Sequence, residues 1–474
     1  MLPIEFKDRM RRLLGDESRT FFDEIESGAA VRSFRVNRIK ISPEKFEETS
    51  PEIDRRAMEF PIGAYYTEEE FPGSYPCHHA GMIYMQDPSA MATVYAASIP
   101  EGSKILDSCS APGGKTTQLS AFAGDSGIVV ANEYEAKRCR ILQSNVERMG
   151  CRNTVVVNLD TAVLAETYPE KFDVVLCDAP CSGEGMFRKN DRAVEEWSPQ
   201  NVEMCAERQR EILANVAKCV ARGGKLIYST CTFSLEENEM NVAWFIDNFS
   251  DFELASVTPE LQRITADGIS FEGCPYDMTK TRRFYPHISR GEGQFIAVLA
   301  RVGEGRIEEA SSQKGKKKKQ TMEKTSREDT ELIAEAKRFL EENLTNDFEG
   351  GACYSLIALK GKAYLKPDIS LPPYGVFAAG VCVGELMGRK FAPHHQIFSA
   401  FGGKFKRRLM LKQSDGETLD YIKGMEIPAS DKEEFEGKAD GWAAVIIDGC
   451  PIGGGKISGG VCKNHYPKGL RDQR

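Results

Sequence analysis

Two short segments carry thiols in settings suited to covalent chemistry: Asp178-Ala179-Pro180-Cys181-Ser182 and Ser229-Thr230-Cys231-Thr232. Each follows an apolar, β-branched run, Phe172 to Cys177 and Lys225 to Tyr228, of the kind that forms a buried strand. In open α/β sheets ligands collect at the carboxyl ends of strands, and neighbouring strands lie only ~5 Å apart. Two cysteines at adjacent strand ends can therefore face the same reacting atom. Cysteine is strongly nucleophilic and also leaves readily. Its free pKa of ~8.5 leaves little thiolate at neutral pH, so the surroundings must help.

A second chemical feature is the segment Asp107-Ser108-Cys109-Ser110-Ala111-Pro112-Gly113-Gly114-Lys115-Thr116. Its end matches the phosphate-binding pattern G-x-x-x-x-G-K-[ST]. The first glycine of that pattern is replaced by Cys109, and Pro112 removes an N–H that a phosphate cradle would use. A nucleotide hydrolase is disfavoured on that ground, and an NAD site by the missing G-x-G-x-x-G. What remains is a glycine turn that lets a cofactor approach the backbone. Glu133, about 20 residues further on, is placed to bond ribose hydroxyls. Asp160 is placed to meet an exocyclic amine, and Asp178 closes the fourth strand. Each acid alone reads as a cap or a surface residue; together, at successive strand ends, they outline a pocket for an adenosine with something attached.

The elements that must position these groups alternate. Strands are expected at Lys104–Ser108, Gly127–Glu133, Thr154–Asn158, Phe172–Asp178 and Gly224–Thr230, with a last one between Gln294 and Val302. Helices are expected at Lys115–Ala123, Ala136–Met149 and Asn201–Ala221. Such alternation indicates βαβ units and a mainly parallel sheet, an α/β fold. Residues 1 to about 95 show no strong period, apart from a short basic strand in Arg32–Asn37 and a Pro/Gly/Tyr-rich stretch from Phe60 to Pro76. A charged linker follows the core near residues 303–328, then a small α/β unit over 329–390 with a helix at Asp329–Asn343, and a β-rich unit over 391–474. Further strands are expected at Tyr354–Leu359, Gly375–Gly384, Arg408–Leu411 and Trp442–Ile447.

Composition narrows the classes. Hydrophobic content of 41% and charged content of 28% are those of a globular chain, and no run approaches the ~18 apolar residues of a membrane span. Met1 to Arg12 is charged and lacks a secretory apolar core. Fourteen cysteines without any Cys-x-x-Cys, beside six scattered histidines, read as reduced thiols in a cytoplasmic protein without a structural metal. The formal charge of −9 hides a segregated basic run from Lys314 to Arg327, either a solvated linker or a phosphate-binding strip.

The Ser110–Thr116 loop, the Asp178–Gly183 segment and Ser229–Thr232, in that order, resemble three motifs of RNA cytosine carbon-5 methyltransferases of the Sun/Fmu type. The similarity covers roughly residues 80 to 300, from Gln86-Asp87-Pro88-Ser89, and the long C-terminal extension is similar to the bacterial RsmF-type ribosomal RNA subgroup. The resemblance implies a Rossmann-like core (96–302), a family-specific N-terminal α+β region (1–95) and a C-terminal PUA-like RNA-binding domain. It implies S-adenosylmethionine as cofactor, held by Cys109, Ser110, Ala111, Pro112, Gly113, Gly114, Lys115, Glu133, Asp160 and Asp178. Strand placement leaves open which cysteine attacks. The resemblance assigns Cys231 as nucleophile, Cys181 as helper in product release, and Asp178 as a partner of the cytosine edge. Lys115 orients Asp178 or the base, or caps a helix. Cys109, Cys139, Cys151, Cys177, Cys205 and Cys219 also read as core residues.

RNA is the expected partner, with small-subunit ribosomal RNA favoured by the extension, transfer RNA the alternative, and a monomeric state expected. A non-catalytic RNA-binding or assembly factor would not need both thiols. Candidate RNA contacts are Arg32, Phe34, Arg35 and Arg38, the loop with Arg188, Lys189 and Arg192, the run Lys404 to Arg408, and Lys463 to Arg471.

Overall fold

A computed structural model describes residues 2–27, 30–70, 74–303, 326–348, 354–430, 432–436 and 438–471. The basic run from Lys314 to Lys324, and with it nearly all of the expected linker, lies outside the described residues.

The core sheet is built from β1 (Lys104–Asp107), β2 (Ile128–Asn132), β3 (Thr154–Val157), β4 (Phe172–Asp178), β5 (Val220–Thr230) and β6 (Gln294–Arg301). All of β2 and all of β3 are buried, as strands covered on both faces must be. The order is β6-β5-β4-β1-β2-β3, with β1 to β5 parallel and β6 antiparallel. The strand order reverses between β1 and β4, and that is where a ligand crevice forms in such sheets. Flanking helices are α1 (Gly114–Ala123), α2 (Ala136–Arg148), α3 (Thr161–Thr167), α4 (Pro199–Val216) and α5 (Glu239–Asn248). In α2 the buried Cys139, Leu142 and Val146 recur at helical spacing and face the sheet. Ser198 caps α4, accepting from the Asn201 amide at 3.1 Å, with Pro199 in the first turn. This helix stops at Val216, short of the expected Ala221, because β5 already begins at Val220.

Outside the core, Ser33–Val36, Arg56–Ala57, Ala64–Tyr66 and Ile83–Met85 form a four-stranded antiparallel sheet. Two helices the period analysis missed, Ile4–Leu14 and Ser18–Ser27, precede it. They lay Phe6 and Phe21 against Phe187, Trp197, Phe233 and Tyr285, on top of the loops that carry the two cysteines.

After the linker come the helix Arg327–Asn343, a four-stranded sheet spanning Tyr354–Pro393, and a six-stranded sheet spanning Arg407–Asn464. The expected strand Gly375–Gly384 is split at Gly380. Its first half, Val376–Ala379, leaves the C-terminal sheets and pairs antiparallel with β3, so the core sheet borrows its edge strand from beyond the linker. The first and last regions of the chain share one apolar core, in which Phe34, Phe46 and Tyr65 lie with Leu409, Tyr421 and Val445. Among the described residues no helix is long and apolar enough to cross a membrane.

Candidate active site

β4 and β5 are neighbours, with Asp178 in register with Ser229, so the loops leaving them run side by side. The Sγ atoms of Cys181 and Cys231 come within 3.1 Å, and the Cys231 amide donates to the Cys181 sulfur at 3.3 Å. The Cys181 thiol is pushed well above its ordinary range, first by its hydrogen bond with Cys231 and then by burial. The two sulfurs share one hydrogen bond, in which either can donate. The one backbone bond between them runs from the Cys231 amide to the Cys181 sulfur.

Across the switch point, Lys115 at the start of α1 places its Nζ 2.6 Å from Asp178 Oδ2. Burial disfavours the ammonium, but the Asp178 carboxylate outweighs it and the Lys115 pKa rises; Cys231 acts in the same direction. The other Asp178 oxygen, Oδ1, accepts from Ser229 Oγ at 2.6 Å and Gln294 Nε2 at 3.2 Å. Lys115 thus orients Asp178. Ser229 and Gln294 are additions that sequence reasoning missed, Gln294 because nothing local tied β6 to the site.

On the other side of the switch point the glycine turn is fastened from α2: Arg138 donates to the Ala111 carbonyl and Asn145 to the Pro112 carbonyl, both at 2.9 Å. Gly113 has φ of +110°, open to glycine, and a Cβ there would stand 3.1 Å from Leu142. Glu133 is 5% exposed, and its carboxylate accepts from the amides of Ala111 (3.3 Å) and Glu135 (2.9 Å). Asp160 is exposed and caps α3, accepting from the Ala162 amide at 2.8 Å. Asp107, unremarked in the sequence, lies buried at the base of the loop. Its Oδ2 accepts from Thr116 at 2.7 Å, its Oδ1 has no partner, and burial pushes its pKa up to about 7. Cys109 is half-buried; its thiol is pushed well up by a hydrogen bond with Cys177 and then by burial. Cys139, Cys151, Cys177, Cys205 and Cys219 are buried.

Several expected RNA contacts are corrected by burial. Phe34 is fully buried, and Arg35 is spent inside the fold on Gln86, the Gly114 carbonyl and Thr117. Arg188 is buried against Glu292 and the Gly291 carbonyl, and Lys189 pairs with Asp87. Phe405 is buried, while Lys404 pairs with Asp347 and Arg407 bonds Asn343. Arg32, Arg38, Lys189, Arg192, Lys404, Lys463 and Lys468 remain exposed, Lys189 and Lys404 within surface ion pairs.

The chain is similar to known proteins along most of its length. Residues 94–300 match the family model of the 16S rRNA methyltransferase RsmB/F, residues 2–88 the N-terminal domain of 16S rRNA methyltransferase RsmF, and residues 409–472 the methyltransferase RsmF PUA domain. The chain is 30% identical over 452 residues to the ribosomal RNA small subunit methyltransferase F of Klebsiella pneumoniae, covering 93% of this chain and 90% of that one. The chain belongs to the RsmF family. A methyltransferase homolog protein from Pyrococcus horikoshii superposes with a TM-score of 0.55 at 27% identity, over 63% of this chain and 95% of that one. The NSun6 structure from the same organism, determined with SFG, an analogue of S-adenosylmethionine, shares the fold at 22% identity. Its TM-score is 0.53, over 64% of this chain and 99% of that one. The RsmF-family chain is therefore a methyltransferase with a Rossmann-like core, an N-terminal domain and a C-terminal PUA domain.

Proposed function

We propose that this RsmF-family enzyme transfers the methyl group of S-adenosylmethionine to carbon 5 of a cytosine in 16S ribosomal RNA, through a covalent bond from Cys231 to carbon 6. The supporting observation is the 3.1 Å thiol pair beside the Lys115–Asp178 ion pair. Carbon 5 of cytosine is a weak nucleophile. Addition of the Cys231 thiolate to carbon 6 makes the ring an enamine and moves electron density onto carbon 5. Asp178, held by Lys115, Ser229 and Gln294, is positioned to bond the cytosine edge.

The residues of the opposite edge fit the cofactor in kind. The Ser110–Gly114 turn offers backbone, Glu133 and Asp160 offer acceptors for hydroxyl and amine groups, and the unpartnered Asp107 Oδ1 is a further acceptor. When bound, S-adenosylmethionine supplies an electrophilic methyl group. Release requires the carbon-5 proton to leave, its bonding pair to form the 5,6 double bond, and the carbon–sulfur pair to return to Cys231. Cys181 then loses its proton to solvent and its thiolate takes the proton from carbon 5.

The substrate reading rests on the likeness to small-subunit methyltransferases along 93% of the chain and on the PUA match. The 1–95 region and the C-terminal domains would present RNA to the strand ends, the target base leaving any stack to reach them. We read the enzyme as a cytoplasmic monomer. Bisulfite sequencing of RNA from a deletion strain tests the function. A cytosine of 16S rRNA should lose protection and regain it with the wild-type gene but not with Cys231→Ala; loss confined to transfer RNA would overturn the substrate.

A further inference from the structure

Two carboxylates outside the expected site tie the reactive loops together, each reaching across to the other. Glu184 follows Cys181 by three residues, yet its side chain serves the Cys231 loop. Its Oε2 accepts from Thr232 Oγ1 at 2.8 Å and the Phe233 amide at 2.9 Å, and its Oε1 from Ser234 Oγ at 2.6 Å. Glu237 follows Cys231 by six residues and serves the Cys181 loop. Its Oε2 accepts from the Ser182 amide at 3.0 Å and its Oε1 from Ser182 Oγ at 2.5 Å. Gln209 on α4 bridges Glu237 Oε2 (2.8 Å) to the Pro180 carbonyl (3.0 Å), so the residues on both sides of Cys181 are held.

Both carboxylates are essentially inaccessible, at 1% and 0% exposure. Among the described residues neither forms an ion pair with a lysine or arginine. Burial pushes Glu237 up to about 7. Apolar packing would hold two loops at less cost than burying two such groups. Two such groups placed beside two thiols meet a positional demand that packing does not.

We propose that Glu184 and Glu237 are a reciprocal pair of positioning residues: Glu184 fixes Cys231 for bond formation with the base, and Glu237 fixes Cys181 for product release. The inference rests on the roles given above to the two cysteines. It makes the two steps separately sensitive, since each loop is aimed by a carboxylate from its neighbour.

The test is a single-turnover experiment with the full-length enzyme, S-adenosylmethionine and a 16S rRNA fragment, quenched in denaturant. It follows the covalent adduct on a gel and methyl groups in RNA. Glu237→Ala should leave adduct formation and methyl transfer within about threefold of wild type while slowing adduct decay about tenfold or more, the scale of lost bonds to a charged group. Glu184→Ala should slow adduct formation by a similar factor, with decay little changed. Ser182→Ala removes the hydroxyl bond to Glu237 and Thr232→Val the hydroxyl bond to Glu184; each also loses the 2.9 Å bond between the two hydroxyls, and each should still show its own arm's effect as the larger, at about several-fold, keeping the question open to test if an alanine variant does not fold. Glu237→Gln and Glu184→Gln keep an acceptor oxygen and should recover most of each step. Equal slowing of both steps in every variant, or of neither, would overturn the clamp. Cys181→Ala is run in parallel: absence of adduct there overturns the cysteine roles, whereas adduct there with normal decay in Glu237→Ala overturns the clamp alone.

Discussion

The two edges of the switch-point crevice are built differently. At the β4/β5 edge the working groups are side chains, and each is held by other side chains: Asp178 by Lys115, Ser229 and Gln294, Cys181 by Cys231. At the β1/β2/β3 edge the working surface is largely backbone, fastened through the Ala111 and Pro112 carbonyls, and Asp160 is exposed. A nucleophile must be placed to a fraction of an ångström, whereas a cofactor can be held by the sum of several modest contacts. Substitutions at the first edge should act on the chemical step, and those at the second on cofactor affinity.

The sharpest challenge to this division is Cys231→Ala, which should cut methyl transfer by about three orders of magnitude or more while cofactor affinity, read by calorimetry, stays unchanged. Lys115→Met leaves Asp178 without its cation, and kcat should fall on the order of 10²-fold, with the effect in kcat and not in KM for the cofactor. At the other edge, Glu133→Ala should weaken cofactor binding about tenfold at nearly constant kcat. Asp160→Ala removes a helix cap, costing about 1 kcal/mol of stability in denaturant titration, with a smaller change in affinity. A large kcat loss from either acid would erase the distinction between the edges.

A separate readout is stability against pH. Asp107 and Glu237 are both raised to about 7 by burial, from ordinary values near 4. Between those limits the folded state holds protons that the unfolded state has lost, so stability falls as pH rises. Melting temperatures from pH 5 to 8 should show that slope, and Asp107→Asn should flatten it.

The sequence carried the core well, because its signals are local. Buried strands such as Thr154–Val157 are continuous apolar runs, and the glycine turn and both cysteine segments sit at their ends. What it concealed depends on distant chain. Phe6, Met10, Phe21 and Ile25 have helical spacing, yet their partners Phe187 and Phe233 lie far along the chain. Arg35 reads as an RNA contact until Gly114 and Thr117 close over it. Glu184 and Glu237 look like surface acids, since nothing in the local pattern announces that donors from the opposite loop will bury them. The two thiols were legible as a pair; what the sequence did not show is that their sulfurs meet at 3.1 Å, with the Cys231 amide bonded to the Cys181 sulfur.

The most direct test of the two cysteine roles is to trap the intermediate. The Cys181→Ala enzyme, incubated with S-adenosylmethionine and 16S rRNA, should accumulate a protein–RNA adduct, and mass spectrometry of the nuclease- and protease-treated adduct should place the methylated cytosine on the peptide containing Cys231. A nucleotide found on any other residue, or turnover at the wild-type rate without an adduct, would contradict the account.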